Sequence, residues 1–540
     1  MRVMSREQQI SRFELFRRLR QMAIGTSLAL SIAACGGGGG GGGQPTAPVQ
    51  QNPPPPAANA APSVEAGAEQ TIQWPIATAQ LSGSATDDPS QTLTYAWTVT
   101  SGPSGVTFGT ANTAATSVTF PSAGTYVLTL SVSDGSATGT DTVTVIVNPA
   151  ADPPTQAAVY PASDLTNDAA DQGWARVNAA ADVGMDQALL DQAASYAQSA
   201  GTAIPGSAGM IVRGGRLVHS WGDIDQRFDM KSTTKSIGGI ALGLAIDAGT
   251  VQLSDGAQTK LAGIGANPPS NVTTGWLDDI TIQQLATHTA GFDKPGGYTY
   301  LPPRDPAAAT LIYAPGTIWS YSDSGLNWLS EVLTTVFNED LASVLQTRVW
   351  SVLGLNSTSG VVHATSDVYW RNNQLRDQSG ATIHNRELAS GIFANPNAMA
   401  RVGLLFLRKG LWANDQRVLS ESFVNTVMTP PAANAPLDNP QPADFPSATT
   451  SYGVLWWTNA AGLLPNVPRD AYWAWGLGDS LIVVIPSLDL VVVRAGAQHE
   501  GAARDAAATP GQRVWHDTDW NGDYSVLAPF LDPIVQSVSQ

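Results

Sequence analysis

Apolar and polar residues alternate with period two in four short stretches of the first third of the chain, residues 92–100, 117–120, 126–133 and 141–147, with turn formers such as Asp134-Gly135 between them. Alternation of that period, broken every ten or so residues, predicts a small antiparallel β-sandwich over residues 62–149. Beyond Asp171 the pattern changes. Residues 182–198 carry the spacing of an amphipathic helix, and residues 208–213 and 216–221 flank Gly214-Gly215 as the arms of a hairpin. Near the other end, residues 480–486 and 488–494 form a second pair of apolar strands. An antiparallel sheet assembled from both ends of one domain, with helices between, follows from that order. Within the interval, residues 232–247 predict a helix opened by Ser232 and closed by Gly249.

These patterns start late, and what precedes them is of another kind. Arg12, Arg17, Arg18 and Arg20 precede an apolar run from Met22 to Ala34, and Ile32-Ala33-Ala34-Cys35 ends it. The run is too short to span a bilayer, so residues 1–35 read as a cleaved leader. It resembles bacterial lipoprotein signals. That resemblance implies lipid on Cys35, attachment to a membrane and a place in the cell envelope, at the outer membrane. Residues 36–61 hold an unbroken glycine run and four consecutive prolines, a tether without a core. A second polar linker covers 150–172, and residues 173–540 form the large domain.

Composition narrows the functions. The chain has 540 residues, more than one core can serve, and a formal charge of −17 with only five lysines, Lys231, Lys235, Lys260, Lys294 and Lys409. Such a surface has no basic patch for nucleic acid. Cys35 is the single cysteine, which rules out an internal disulfide and a cysteine-based zinc site. The histidines are scattered without ligand spacing, and neither a metal nor an organic cofactor is expected.

The chemistry-bearing residues start with Ser232, followed three positions later by Lys235. On a helix that spacing puts an amine one turn from a hydroxyl, and an amine can take the proton that keeps a serine from being a nucleophile. Taken alone, the pair reads equally well as a capping serine and an exposed lysine. Tyr321 stands in a turn before the next helical stretch, with Asp323 two residues on.

Around these residues the phrases STTK at 232–235, TIQQLATHTAGF, PGTIWSYSDSGLNWLSEVL, NAMARVGLLFLRKG and LIVVIPSLDLVVVRAG follow in the order found in the beta-lactamase-related serine hydrolases. That family includes class C beta-lactamases, D-alanyl-D-alanine carboxypeptidases, family VIII esterases and nylon-oligomer hydrolases. The resemblance implies an α/β fold, an antiparallel sheet flanked by helices with a helical subdomain between the first and third motifs. It also implies Ser232 as the acylated nucleophile, Lys235 as the group that deprotonates or orients it, and Tyr321 as the phenol that passes a proton to the leaving group. Asp323 stands where beta-lactamases carry asparagine. At the third motif Ala474 replaces the family's basic residue, followed by Trp475 and Gly476. The backbone N–H groups of Ser232 and Leu477 would form the oxyanion hole, and Trp473 and Trp475 are expected to wall an apolar pocket. Without a cation at Ala474 a substrate carboxylate loses a contact of about 1.5–3 kcal/mol. A small-molecule ester or amide is therefore expected ahead of a lactam or a D-alanine peptide.

The phrases LTYAWTVTSGP, AGTYVLTLSVSDG and DTVTVIV resemble the immunoglobulin-like PKD family. The resemblance implies a spacer, or a module in contact with a glycan or the cell wall. Asp87, Asp88 and Asp134 are read as turn carboxylates, with calcium as the alternative.

Other signals point elsewhere. Residues 478–481 spell GDSL, but late in the domain and without the downstream histidine such esterases need, and no Gly-x-Ser-x-Gly elbow occurs. Residues 517–523 imitate a calcium loop whose twelfth position is Ala528 instead of glutamate. His288 is expected to be structural. Two further readings stay open: an inert surface adhesin, and a Ser-His-Asp enzyme with a histidine beside Ser232.

Overall fold

The computed structural model describes residues 59–538 except 74–77, 104, 121–123, 149–157, 163–170, 200–206, 294–308, 356–366, 372–382, 443, 479 and 497–523. The leader, Cys35 and the tether up to residue 58 lie outside the described residues, as do residues 517–523 of the calcium-like loop. No helix among the described residues is long and apolar enough to cross a membrane.

The alternating stretches near the N-terminus form two sheets. One has four strands in the order Gln70–Gln73, Thr138–Asn148, Gly124–Ser133 and Thr94–Ser101, and the other has three, Thr78–Ser82, Ala115–Thr119 and Thr107–Phe108. Alternate residues enter a shared core, with Leu81 and Val118 from one sheet and Trp97, Leu128, Leu130 and Val145 from the other. Burying each such side chain stabilises by roughly 1.5–3 kcal/mol. The Trp97 indole N–H donates to the carbonyls of Thr113 (3.1 Å) and Ala114 (3.3 Å), so the ring is buried with its polar atom satisfied. The expectation of a wholly antiparallel sandwich needs one correction, because Gln70–Gln73 pairs parallel to Thr138–Asn148. A parallel pair needs a long connection, and here the rest of the sandwich supplies it. Asp134 accepts from the N–H groups of Ser136 and Ala137 and from Asn59, which pushes its carboxyl down to about 2. It acts as a turn cap, and Asp88 caps Ser90 in the same way.

The large domain is built on six strands, β1 Ala208–Arg213, β2 Arg216–Trp221, β3 Trp457–Thr458, β4 Tyr472–Gly476, β5 Ser480–Ile485 and β6 Leu490–Ala495. Their spatial order is β2-β1-β6-β5-β4-β3, every neighbour antiparallel, so strands from both ends of the domain meet in one sheet as expected. Gly214 and Gly215 both have positive φ (62° and 77°), the twist that a two-residue hairpin demands. The principal helices are α1 Gln187–Ser199, α2 Thr234–Gly238, α3 Ile240–Asp247, α4 Asp323–Phe337, α5 Pro396–Leu407 and α6 Ala528–Gln536. Every residue of β5 and β6 is buried. Helices cover both faces: α1 and α6 share a core with Leu481, Val483 and Val492, while α5 shares one with Ile482, Val491 and Val493. That double cover is why these strands read as unbroken apolar runs.

Three expected elements differ in extent. The helix foreseen over 182–198 starts at Gln187, because Gly184 turns left-handed (φ 66°) after a short 3-10 turn and Asp186 caps the N–H of Ala188. The strand foreseen at 488–494 starts at Leu490, since Pro486–Leu488 form a turn that ends on Asp489 at φ 49°. The helix foreseen over 232–247 is divided into a 3-10 turn, α2 and α3. A buried cation braces the whole body. Arg401 of α5 donates to Asn397 Oδ1 (3.0 Å) and to the carbonyls of Leu353 (2.6 Å), Ala162 (3.0 Å) and Gln172 (2.7 Å). The far end of the second linker is thereby fastened to the large domain.

Candidate active site

Ser232 sits in a 3-10 turn, Lys231–Thr233, that runs into α2 and then, across Gly239, into α3. The expectation that Ser232 caps a single helix is corrected here, since its side chain makes no cap bond. The cause lies one residue back. Lys231 is held at φ 48°, its backbone N–H and its ammonium both bonded to Asp229 (3.1 and 2.6 Å). A non-glycine residue in that region is strained, and such strain gathers at functional sites.

The turn presents the Ser232 hydroxyl to two donors. Lys235 Nζ and the Tyr321 hydroxyl each lie 2.9 Å from Ser232 Oγ. Lys235 Nζ also lies 2.7 Å from the Ala389 carbonyl oxygen and 2.9 Å from Asp323 Oδ1. An ammonium has three N–H donors, and three acceptors stand within 3 Å of this one. Tyr321 reaches the same oxygen from 89 residues down the chain. Its ring is stacked between His288 (centroids 4.3 Å apart) and Phe445 (4.6 Å), and its backbone N–H donates to Gln441 Oε1 (3.1 Å). Burial, with the Asp323 charge added, pushes the phenol well above its usual value, and the bond to Ser232 offsets only part of this. The phenol therefore keeps its proton at neutral pH.

α4 organises the opposite wall. Ser322 caps it by accepting from the N–H of Gly325, and Asp323 is its first residue. One turn on, Asn327 Oδ1 accepts from the Ala389 N–H (3.1 Å), which fixes the carbonyl that Lys235 binds. Asp323 and Asn327 are four residues apart on one helix face, a spacing visible in the sequence. The part played by Asn327, Ala389, Gln441 and Phe445 was missed by sequence reasoning. His288 accepts the Ser322 N–H at Nδ1 (3.1 Å), so it orients the turn that carries Tyr321. Among the described residues Ser232 Oγ is bonded by Lys235 and Tyr321 and by no histidine.

β4 forms the third wall. Residues along a strand alternate sides, and Tyr472, Ala474 and Gly476 face the core that holds α2 and α3. A Cβ on Gly476 would stand 2.3 Å from the Met230 carbonyl oxygen and 3.0 Å from the Thr233 nitrogen, so only glycine lets the strand lie this close to the turn that carries Ser232. Thr233 Oγ1 donates to the Ser480 carbonyl and ties the turn to β5. Leu477 follows Gly476 directly, in the turn between β4 and β5, which sets its backbone beside the same segment. The same alternation places the two tryptophans expected to wall an apolar pocket in the core that also holds Tyr321, Phe445 and Trp457. Trp473 and Trp475 enter the second core, where both pack on Tyr524 (6.0 and 5.8 Å between centroids), and Trp473 is fully buried. Ala474 is also fully buried and brings no charge.

Comparison with known proteins agrees with both parts of this architecture. A PKD domain family model matches residues 66–147. The mouse dyslexia-associated protein KIAA0319-like is 36% identical over 76 residues, 14% of this chain and 7% of that protein. The D-alanyl-D-alanine-carboxypeptidase/endopeptidase AmpH of Escherichia coli K12 is 26% identical over 228 residues, 37% of this chain and 57% of the relative. The chain thus spans less than two thirds of the length of either curated relative. A solved penicillin-binding protein homologue from Caulobacter crescentus superimposes with a TM-score of 0.44 at 14% identity, covering 58% of this chain and 91% of that one. The family model described as Beta-lactamase matches residues 186–513, which contain Ser232, Lys235, Tyr321 and the strand of the third motif. With more than half of its length matched, and behind an N-terminal PKD-like sandwich, the chain belongs to the beta-lactamase family of hydrolases.

Proposed function

We propose that the chain is a serine hydrolase that is acylated on Ser232 and acts on carboxylic esters or small amides. The observation that carries the reading is the single oxygen, Ser232 Oγ, held at 2.9 Å by both Lys235 and Tyr321 beside a strand that offers no cation at Ala474. Lys235 first gives up a proton to solvent; as the neutral amine it then takes the hydroxyl proton while Ser232 Oγ attacks the substrate carbonyl carbon and the new ester bond forms. The developing oxyanion is held by the backbone N–H groups of Ser232 and Leu477. Tyr321, a phenol that keeps its proton, donates it to the departing alcohol or amine, and Lys235 restores it. Water then attacks the acyl-enzyme by the same route in reverse.

The likeness to a D-alanyl-D-alanine-carboxypeptidase supports a second reading, that of a peptidase or lactamase. Ala474 weighs against it, since both substrate types carry a carboxylate that a buried alanine cannot bind. The test is a panel of esters, amides and lactams against wild type and Ser232→Ala, with intact-mass detection. An acyl adduct on wild type alone and a fall in ester turnover on the order of 10⁴ are expected. Fast cephalosporin hydrolysis with indifference to nitrophenyl esters selects the second reading. Failure of a fluorophosphonate to label Ser232 removes the enzyme reading altogether.

A further inference from the structure

The charges around Ser232 are arranged with unequal exposure. Lys235 and Asp323 form an ion pair at 2.9 Å, yet the lysine side chain is 3% exposed and the aspartate 17%. Of the two partners the carboxylate is thus the more exposed and the ammonium the more deeply covered. Asp323 is the first residue of the 15-residue α4, where the helix dipole favours a negative charge. The neighbouring cations are matched as well, Lys231 by Asp229 and Arg371 by Glu387, each at 2.6 Å. At β4 the position of the family's basic residue is Ala474. Among the described residues, the other ionisable groups beside the site, His288, Tyr321 and Tyr452, bring no fixed cation: His288 accepts at Nδ1, and burial raises both phenols, with the Asp323 charge adding to each and Tyr321 adding to Tyr452.

We infer that Asp323 is a specificity determinant that makes the site refuse substrates carrying a negative charge beside the scissile bond and accept neutral ones. The inference rests on the hydrolase reading above and adds to it the charge class of the substrate. Selectivity of this kind comes from a repulsive element as much as from an attractive one, and like charges brought together in a partly desolvated cleft are costly.

The experiment uses the full chain and two nearly isosteric esters, 3-carbamoylphenyl butanoate and 3-carboxyphenyl butanoate, each rate normalised to its uncatalysed hydrolysis. Wild type is expected to favour the neutral ester by roughly tenfold or more in kcat/KM, a gap of about 1.4 kcal/mol per tenfold. In Asp323→Asn the preference shrinks at least about threefold, whereas Asp323→Glu keeps it. A purely structural role would lower both rates together and leave the ratio alone. The inference is overturned if wild type shows no preference or prefers the carboxylate, an outcome that would hand substrate recognition to Lys231 or Arg371. It is equally overturned if a folded Asp323→Asn keeps the wild-type ratio. The wild-type ratio needs no variant and decides the matter even where Asp323→Asn does not fold. Should wild type cleave neither ester and Ser232 resist a fluorophosphonate, the hydrolase reading itself fails and takes this inference with it.

Discussion

Among the described residues the sandwich buries one polar side chain, Thr116, and no charged one, whereas the hydrolase body buries Asp229, Lys235, Arg386, Glu387, Arg401 and Arg494. The two regions meet the cost of desolvation in opposite ways. In the sandwich, carboxylates such as Asp134 and Asp88 stay in turns, where backbone N–H groups and water satisfy them. In the hydrolase each of these six buried charges is matched by a carboxylate, a cation or a carbonyl. Withdrawing a charge from water is worthwhile only where its field is used or its bonds hold something in place. The contrast separates a part that needs only to be stable from a part that stores chemistry.

Three substitutions press on that contrast. The largest effect is expected from Tyr321→Phe, which keeps both stacked rings in contact but removes the proton donor; kcat/KM should fall about 10³-fold with little change in melting temperature. The same variant reads out the phenol. Because burial raises its folded pKa, the stability it contributes is complete below the ordinary value of 10.0 and is lost as pH rises through the higher folded value. A difference titration of tyrosinate absorbance, wild type minus Tyr321→Phe, should therefore contain no ionisation step near the ordinary value of 10.0. A step there would place Tyr321 in water and undo the donor role.

Next in size is Arg401→Met. It strands the carbonyls of Leu353, Ala162 and Gln172 and leaves Asn397 a partner short, so unfolding of the hydrolase should become about 3 kcal/mol easier in a denaturant titration. An unchanged midpoint would mean that this buried cation is not needed. The smallest effect belongs to the sandwich. Trp97→Phe removes one satisfied indole N–H and some core volume, for about 1–2 kcal/mol in the sandwich transition, and kcat should not move. Lost activity would join the two regions that the pattern of buried charge divides.

The sequence made the sheet, the hairpin at Gly214-Gly215 and the Ser232–Lys235 spacing readable, because each depends on local period or turn chemistry. It also held two signals that went unused. Asp323 and Asn327 share a helix face, and period two along 472–476 sends Trp473 and Trp475 away from Ala474 and Gly476. The stacking of Phe445 on Tyr321, the Gln441 bond and the Ala389 carbonyl left no local trace. They join segments more than sixty residues apart, and only the packed chain decides which of many aromatic or polar residues meets which. The 3-10 turn at Ser232 was hidden for a related reason: a capping serine fits the local pattern, and the bond between Lys231 and Asp229 displaces it.

The Arg401 clasp also has a mechanical meaning. A pull arriving along residues 158–162 is met at Val159, whose backbone lies against Gly215, at Tyr160, whose ring packs on Trp412, and then at Ala162 and Gln172, where it loads the guanidinium of Arg401 on α5. Such a load would thus be taken up where the linker joins the hydrolase body, away from the turn that carries Ser232.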